Sequence, residues 1–107
     1  MADSRVKQLR IKTGVLKRVL KEKEVYEKEV ENEKQRLNKM INEAKDEYDI
    51  RKQEEVINET LMMLPDCQKR IYNAYNDLKS LLQESEEDLQ GTEDFETAKQ
   101  VLSQVAV

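Results

Sequence analysis

IRKQEEVINETLMMLPDCQKRIYNAYNDLKSLL, residues 50–82, decides the fold. Steps of four and three along it pick out Ile50, Glu54, Ile57, Leu61, Leu64, Gln68, Ile71, Tyr75, Leu78 and Leu82, of which only Glu54 and Gln68 are polar. Side chains spaced in this way share one stripe of an α-helix, and a stripe held in phase for so long is the seam of coiled-coil-like packing. A strand would need period two, which is missing. Pro65 stands inside the stretch, where it removes a backbone donor and crowds the carbonyl of Leu61. Because the seam keeps its phase on both sides, the spacing predicts one bent helix over residues 50–84, kinked at Pro65.

Upstream, Leu9, Leu16, Leu20, Val30, Leu37, Ile41 and Ala44 follow one another at helical spacing, with Val15, Val19 and Tyr26 in a flanking row. They predict a first helix over residues 4–45, capped by Asp3 or Ser4. Gly14 is a poor helix former inside it. An unbroken helix with a close packing contact at Gly14 is expected, and a break there is the alternative. Asp46 to Asp49 reads as the turn, with Asp49 capping the second helix. Downstream, Ser85-Glu86-Glu87-Asp88 reads as a cap and an acidic first turn, which predicts a third helix over residues 86–105. A start at Thr92, after Gly91, is the other reading. Phe95, Ala98, Leu102 and Val105 share the apolar face of this helix, with Val101 beside them.

Short links make successive helices antiparallel. The expected fold is therefore all-α and a single domain. It is an elongated antiparallel three-helix bundle, running up, down and up, with left-handed coiled-coil-like packing. At about 1.5 Å of rise per residue the third helix covers only part of the other two. A three-helix core is expected around Leu9, Leu16, Val19, Leu20, Ile71, Tyr75, Leu78, Leu82, Phe95, Ala98 and Leu102, and a lone helix pair over residues 31–64.

Composition narrows what such a bundle can do. Of 107 residues 39% are charged and 37% apolar, a balance that leaves some chains unfolded. Here the helical spacing, with only two Gly and one Pro, points to long helices instead. There is no histidine, so imidazole bases, His-activated nucleophiles and the usual zinc spheres are missing. Gly14 and Gly91 are isolated and form no phosphate loop. The chain reads as a non-enzyme with no cofactor and no metal. No apolar run approaches the roughly 20 residues of a membrane span, and no apolar signal stretch follows Met1. Cys67, the only cysteine, suits a reducing compartment and is expected to be an inert, half-buried thiol. A cytoplasmic location follows. Arg5 to Lys23 is almost purely basic and Glu84 to Glu96 purely acidic. The bundle sets these runs side by side, where they neutralise each other. With sparse aromatics there is no stacking platform, so neither nucleic acid nor membrane is an expected partner.

Three stretches carry a family likeness: Ile11-Lys12-Thr13-Gly14-Val15 followed by Lys17-Arg18, then Tyr26-Glu27-Lys28-Glu29, then Met62-Met63-Leu64-Pro65-Asp66-Cys67-Gln68. In this order, after a Met1-Ala2-Asp3 opening, they resemble the tubulin-folding cofactor A family, also called tubulin-specific chaperone A. The likeness covers essentially the whole chain. Gln90-Gly91-Thr92 departs from it, since stronger helix formers belong there. The resemblance implies a rod-like three-helix bundle that captures β-tubulin released from the cytosolic chaperonin. It would hold β-tubulin before assembly with α-tubulin, by binding alone and without nucleotide. It also implies the other tubulin-folding cofactors as further partners and an association with the cytoskeleton.

A capture protein needs ordered, partly apolar surface. The residues expected to supply it are Tyr48, Met62, Met63, Asp66, Lys69, Arg70 and Tyr72, around a rod shaped by Pro65. Met adapts to irregular partners, although ordinary core packing is the equally open reading for Met62 and Met63. A monomer fits the chaperone reading. A dimer formed through the helical seams would instead mark a structural coiled-coil adaptor or scaffold.

Overall fold

The computed structural model describes residues 4–105, which form helices and turns and contain no strand. The order is α1 (Ser4–Asn42), α2 (Glu47–Leu61), α3 (Met63–Leu89) and α4 (Glu93–Ser103). The all-α class read from apolar spacing is the class found. Asp3, one of the two expected caps of the first helix, lies outside the described residues.

α1 runs unbroken through Gly14, although an interior Gly costs about 1 kcal/mol relative to Ala. The close packing contact expected there is absent: a Cβ on Gly14 would meet nothing within 4 Å. α1 also stops short of residue 45. Ala44 takes a left-handed φ of 52°, the amide of Lys45 donates to the Met40 carbonyl (3.0 Å), and that of Ala44 donates to Ile41 (3.0 Å). These two bonds close a Schellman turn. Ala44 is thus an exposed helix stop rather than the seam residue its spacing suggested. Left-handed backbone costs an L-residue roughly 1–2 kcal/mol, and glycine escapes that strain. Ala44→Gly should therefore raise the unfolding free energy by about 1 kcal/mol, readable as a higher urea midpoint at unchanged slope.

The turn also moves the next cap. Asp46, not Asp49, caps α2, its carboxylate accepting from the amide of Tyr48 at 3.0 Å. Glu47 and Asp49 then lie in the first turn, where the helix dipole favours them. The single bent helix expected over 50–84 is two helices. α2 ends at Leu61, Met62 is its C-cap, and α3 begins at Met63. Pro65 is the third residue of α3, within the turn whose amides have no intrahelical acceptor, so its missing N–H costs little there. α3 runs on to Leu89 because Ser85 is no cap. It is fully buried and its hydroxyl donates back to the Leu81 carbonyl at 2.6 Å. Gly91 makes the turn with φ of 87°. Thr92 then caps α4, accepting from the Phe95 amide at 3.3 Å and donating to the Leu89 carbonyl at 2.8 Å.

Packing divides the chain into two units. The first takes residues up to 21 and from 69 onward. Its core joins Leu9, Leu16 and Val19 of α1 to Ile71, Ala74, Leu78, Leu81, Leu82 and Leu89 of α3 and to Phe95, Ala98 and Val101 of α4. Leu20, Tyr75 and Leu102 are only partly buried against it. Arg5 meets Asp88 at 2.7 Å while Lys12 faces Asp77 at 4.0 Å, so α1 and α3 pass in opposite directions here. Arg10 grips Asp94 through Nη2 (3.0 Å) and Nε (3.4 Å). The hydrogen bond and the charge of Asp94 push the Arg10 pKa up. The basic and acidic runs thus pair as their signs require, although such exposed pairs set register more than stability.

The second unit, Glu22–Gln68, buries Val30, Gln53, Ile57 and Cys67. Cys67 is 1% exposed, more deeply buried than the half-buried thiol expected. Ile41, expected in the seam, is 51% exposed. Along α2 and α3 the inward positions are 50, 53, 57, 60, 64, 67, 71, 74, 78, 81 and 82, and Glu54, Leu61 and Gln68 point outward. Positions 53, 60 and 67 thus replace the expected 54, 61 and 68, whereas Leu82 is buried as expected and Tyr75 is partly buried beside Ala74. At the shifted positions Cys67 is an apolar thiol that tolerates burial better than Gln68, and Gln53 and Thr60 find acceptors. Gln53 Nε2 donates to the Glu33 carbonyl (3.0 Å) and Thr60 Oγ1 to Glu33 Oε1 (2.9 Å).

Candidate binding surface

Leu61, Met62 and Met63 fall between the inward positions Thr60 and Leu64, and all three are exposed, Met62 at 73%. Three adjoining apolar side chains facing water are more than the scattered exposed apolar residue that needs no account. Asp66, also exposed, lies in the first turn of α3, where an acid suits the helix dipole. Tyr48 belongs to the same unit but is not brought to them. It lies in the first turn of α2, about 20 Å along the helix axis from Met62. Its ring is covered by Lys52 Nζ, 5.6 Å from the centroid. In the other unit Lys69, Arg70 and Tyr72 are exposed on α3.

The end of α1 and the start of α2 border an open groove of about 710 Å³, with Met40 and Val56 among its lining and both bases (Arg36, Lys39, Lys45, Lys52) and acids (Glu43, Asp49) around them. The sequence reading missed this groove and the exposed Val25 and Val56. A signal existed for Val56, which lies off the seam read over residues 50–82. Glu33, half-buried nearby, keeps Oε2 buried without a hydrogen-bond partner. Among the described residues no group of three His, Cys, Asp or Glu side chains could hold a metal ion, and no helix is long and apolar enough to cross a membrane.

Open grooves, outward methionines and paired surface charges define the class: an all-helical binding protein. The Tubulin binding cofactor A family profile matches residues 4–102. Tubulin-specific chaperone A of Homo sapiens is 49% identical over 105 residues, 98% of this chain and 96% of that protein. The crystal structure of tubulin folding cofactor A from Arabidopsis thaliana superposes with a TM-score of 0.88 at 42% identity, covering 94% of each chain. Human tubulin chaperone cofactor A gives 0.78 at 45% identity, over 92% of this chain and 95% of that one. The chain belongs to the tubulin binding cofactor A family.

Proposed function

We propose that this chain is a tubulin-folding chaperone that captures β-tubulin released from the cytosolic chaperonin and holds it until heterodimer assembly with α-tubulin. It acts by stoichiometric binding and hydrolyses no nucleotide. The observation that carries the reading is the outward Leu61-Met62-Met63 stretch in a chain of this family. Soft, apolar and ordered in advance, such a surface suits an irregular folding intermediate. The proposed contacts are Tyr48, Met62, Met63 and Asp66 in one unit and Lys69, Arg70 and Tyr72 in the other. A cytoplasmic monomer associated with the cytoskeleton, working with the other tubulin-folding cofactors, completes the reading, as does the antiparallel up-down-up bundle.

The test is direct. Pure protein is mixed with chaperonin-released β-tubulin and with α-tubulin, without added nucleotide, and retention is read on native gels. Retention of β-tubulin at one-to-one stoichiometry is expected. Retention of α-tubulin alone, or a requirement for ATP or GTP, overturns it.

Pro65 enters the same proposal. It offers no amide to the Leu61 carbonyl, so the hydrogen-bond ladder cannot run straight from α2 into α3, and the change of direction there shapes the surface. Pro65→Ala should let the ladder close across Met62 and straighten the junction. Thermal stability should hold or rise, since a first-turn Pro contributes no hydrogen bond that Ala would lose and Ala is the better helix former. β-Tubulin retention should fall several-fold. Unchanged retention in a pull-down would remove the role of the proline.

A further inference from the structure

Two neighbouring residues of α1 are poorly explained by the chain's own packing. Gly14 lies in mid-helix with open space where a side chain would be, so neither a turn nor a close internal approach calls for glycine. Thr13 is 6% exposed, and its hydroxyl oxygen is buried with no hydrogen-bond partner, an uncommon state for a buried polar atom. Both line one cavity of about 140 Å³ between α1 and α4, together with Arg10, Lys17, Asp94 and Thr97. The volume is a few times the share of one liquid water. It suits a carboxylate on a short stem, and the polar lining of Arg10, Thr13, Lys17, Asp94 and Thr97 disfavours an aromatic ring.

The charges select the occupant. Asp94 is already neutralised by the two-point contact from Arg10. Lys17 is exposed and makes no ion pair among the described residues, so the groove keeps a positive charge to spare. Lys7 and Arg18 are exposed on the same helix, and Ile11 and Val15 add exposed apolar edges one turn apart. A basic strip with an apolar border and a side-chain gap at its centre is complementary to an acidic segment whose backbone passes close over the gap.

We infer that the Thr13–Gly14 groove receives an acidic side chain of the captured tubulin subunit. Gly14 admits the partner's backbone, the Thr13 hydroxyl donates a hydrogen bond to the carboxylate, and Lys17 supplies the opposing charge. The inference rests on the proposed capture of tubulin.

The experiment measures retention of chaperonin-released β-tubulin by the full chain alongside its thermal midpoint. Gly14→Ala and Thr13→Val remove a helix breaker and an unpartnered hydroxyl, so both should raise the midpoint. Both should nevertheless weaken retention, by about tenfold for loss of a charge-assisted hydrogen bond at Thr13→Val. Gly14→Leu should weaken it further, Lys17→Glu should weaken it in a salt-dependent way, and Thr13→Ser should retain tubulin like the native chain. Opposite movement of stability and binding is the signature, because a purely structural role moves both together. If the native chain retains tubulin and these variants retain it equally, the groove is not a contact and the inference falls alone. If the native chain retains none, the capture reading falls and takes the inference with it.

Discussion

Phe95→Ala should lower the unfolding free energy by about 3–5 kcal/mol, the largest loss expected from any single truncation in the chain. Phe95 is 3% exposed and joins the core shared by α1, α3 and α4. It is also the largest of the three side chains that α4 buries, beside Ala98 and Val101. α4 has 11 residues, fewer than the roughly 12–15 at which an isolated helix becomes even marginal in water. Its helicity therefore depends on docking. Without the ring, the cavity and the lost docking act together, in a protein whose whole stability is on the order of 5–15 kcal/mol. The thermal midpoint should fall by at least about 12 °C, and amide protection should be lost first over residues 93–103. Tyr72→Ala, at an exposed position of α3, should stay within about 0.5 kcal/mol. If the two variants melt together, the assignment of Phe95 to the core is wrong.

Phe95 also shows what can be read in advance. An aromatic residue at helical spacing from Ala98 and Leu102 announces a core face before any coordinates exist, and the same spacing made every element a helix. Detail failed where the chemistry gave no signal. Ala44 stops α1 in a conformation that glycine would have advertised. Cys67 and Ala74 take inward positions, whereas the alternating steps of four and three put Gln68 and Tyr75 there. Pro65 was read as the point of bending, yet a proline is best tolerated just after a helix begins, so the interruption falls ahead of it at Met62. Thr92 was legible as a cap only as an alternative to Ser85, because a buried serine bonded to the carbonyl four residues back looks the same in sequence as one that opens a helix.

The binding surface was legible only in part, for a related reason. Outward Met and inward Met have the same spelling, and the choice between them depends on which residues before and after them take the inward positions, here Thr60 and Leu64. That choice predicts a large effect. Met62→Asp with Met63→Asp should weaken β-tubulin retention by about 30-fold or more, the scale of a binding hot spot of about 2 kcal/mol. The fold should tolerate the change. Met62 is 73% exposed, and Met63 opens α3, where an acidic side chain interacts favourably with the helix dipole. The thermal midpoint should therefore stay near that of the native chain while binding collapses. Core methionines would behave in the opposite way: two buried charges would unfold the chain, and the loss of binding would follow the loss of structure. Met62→Leu with Met63→Leu separates shape from polarity, because it keeps the apolar area and gives up some adaptability. Its retention should fall by no more than a few-fold. A doubly acidic variant that folds normally and still holds β-tubulin as the native chain does would show that capture uses some other face.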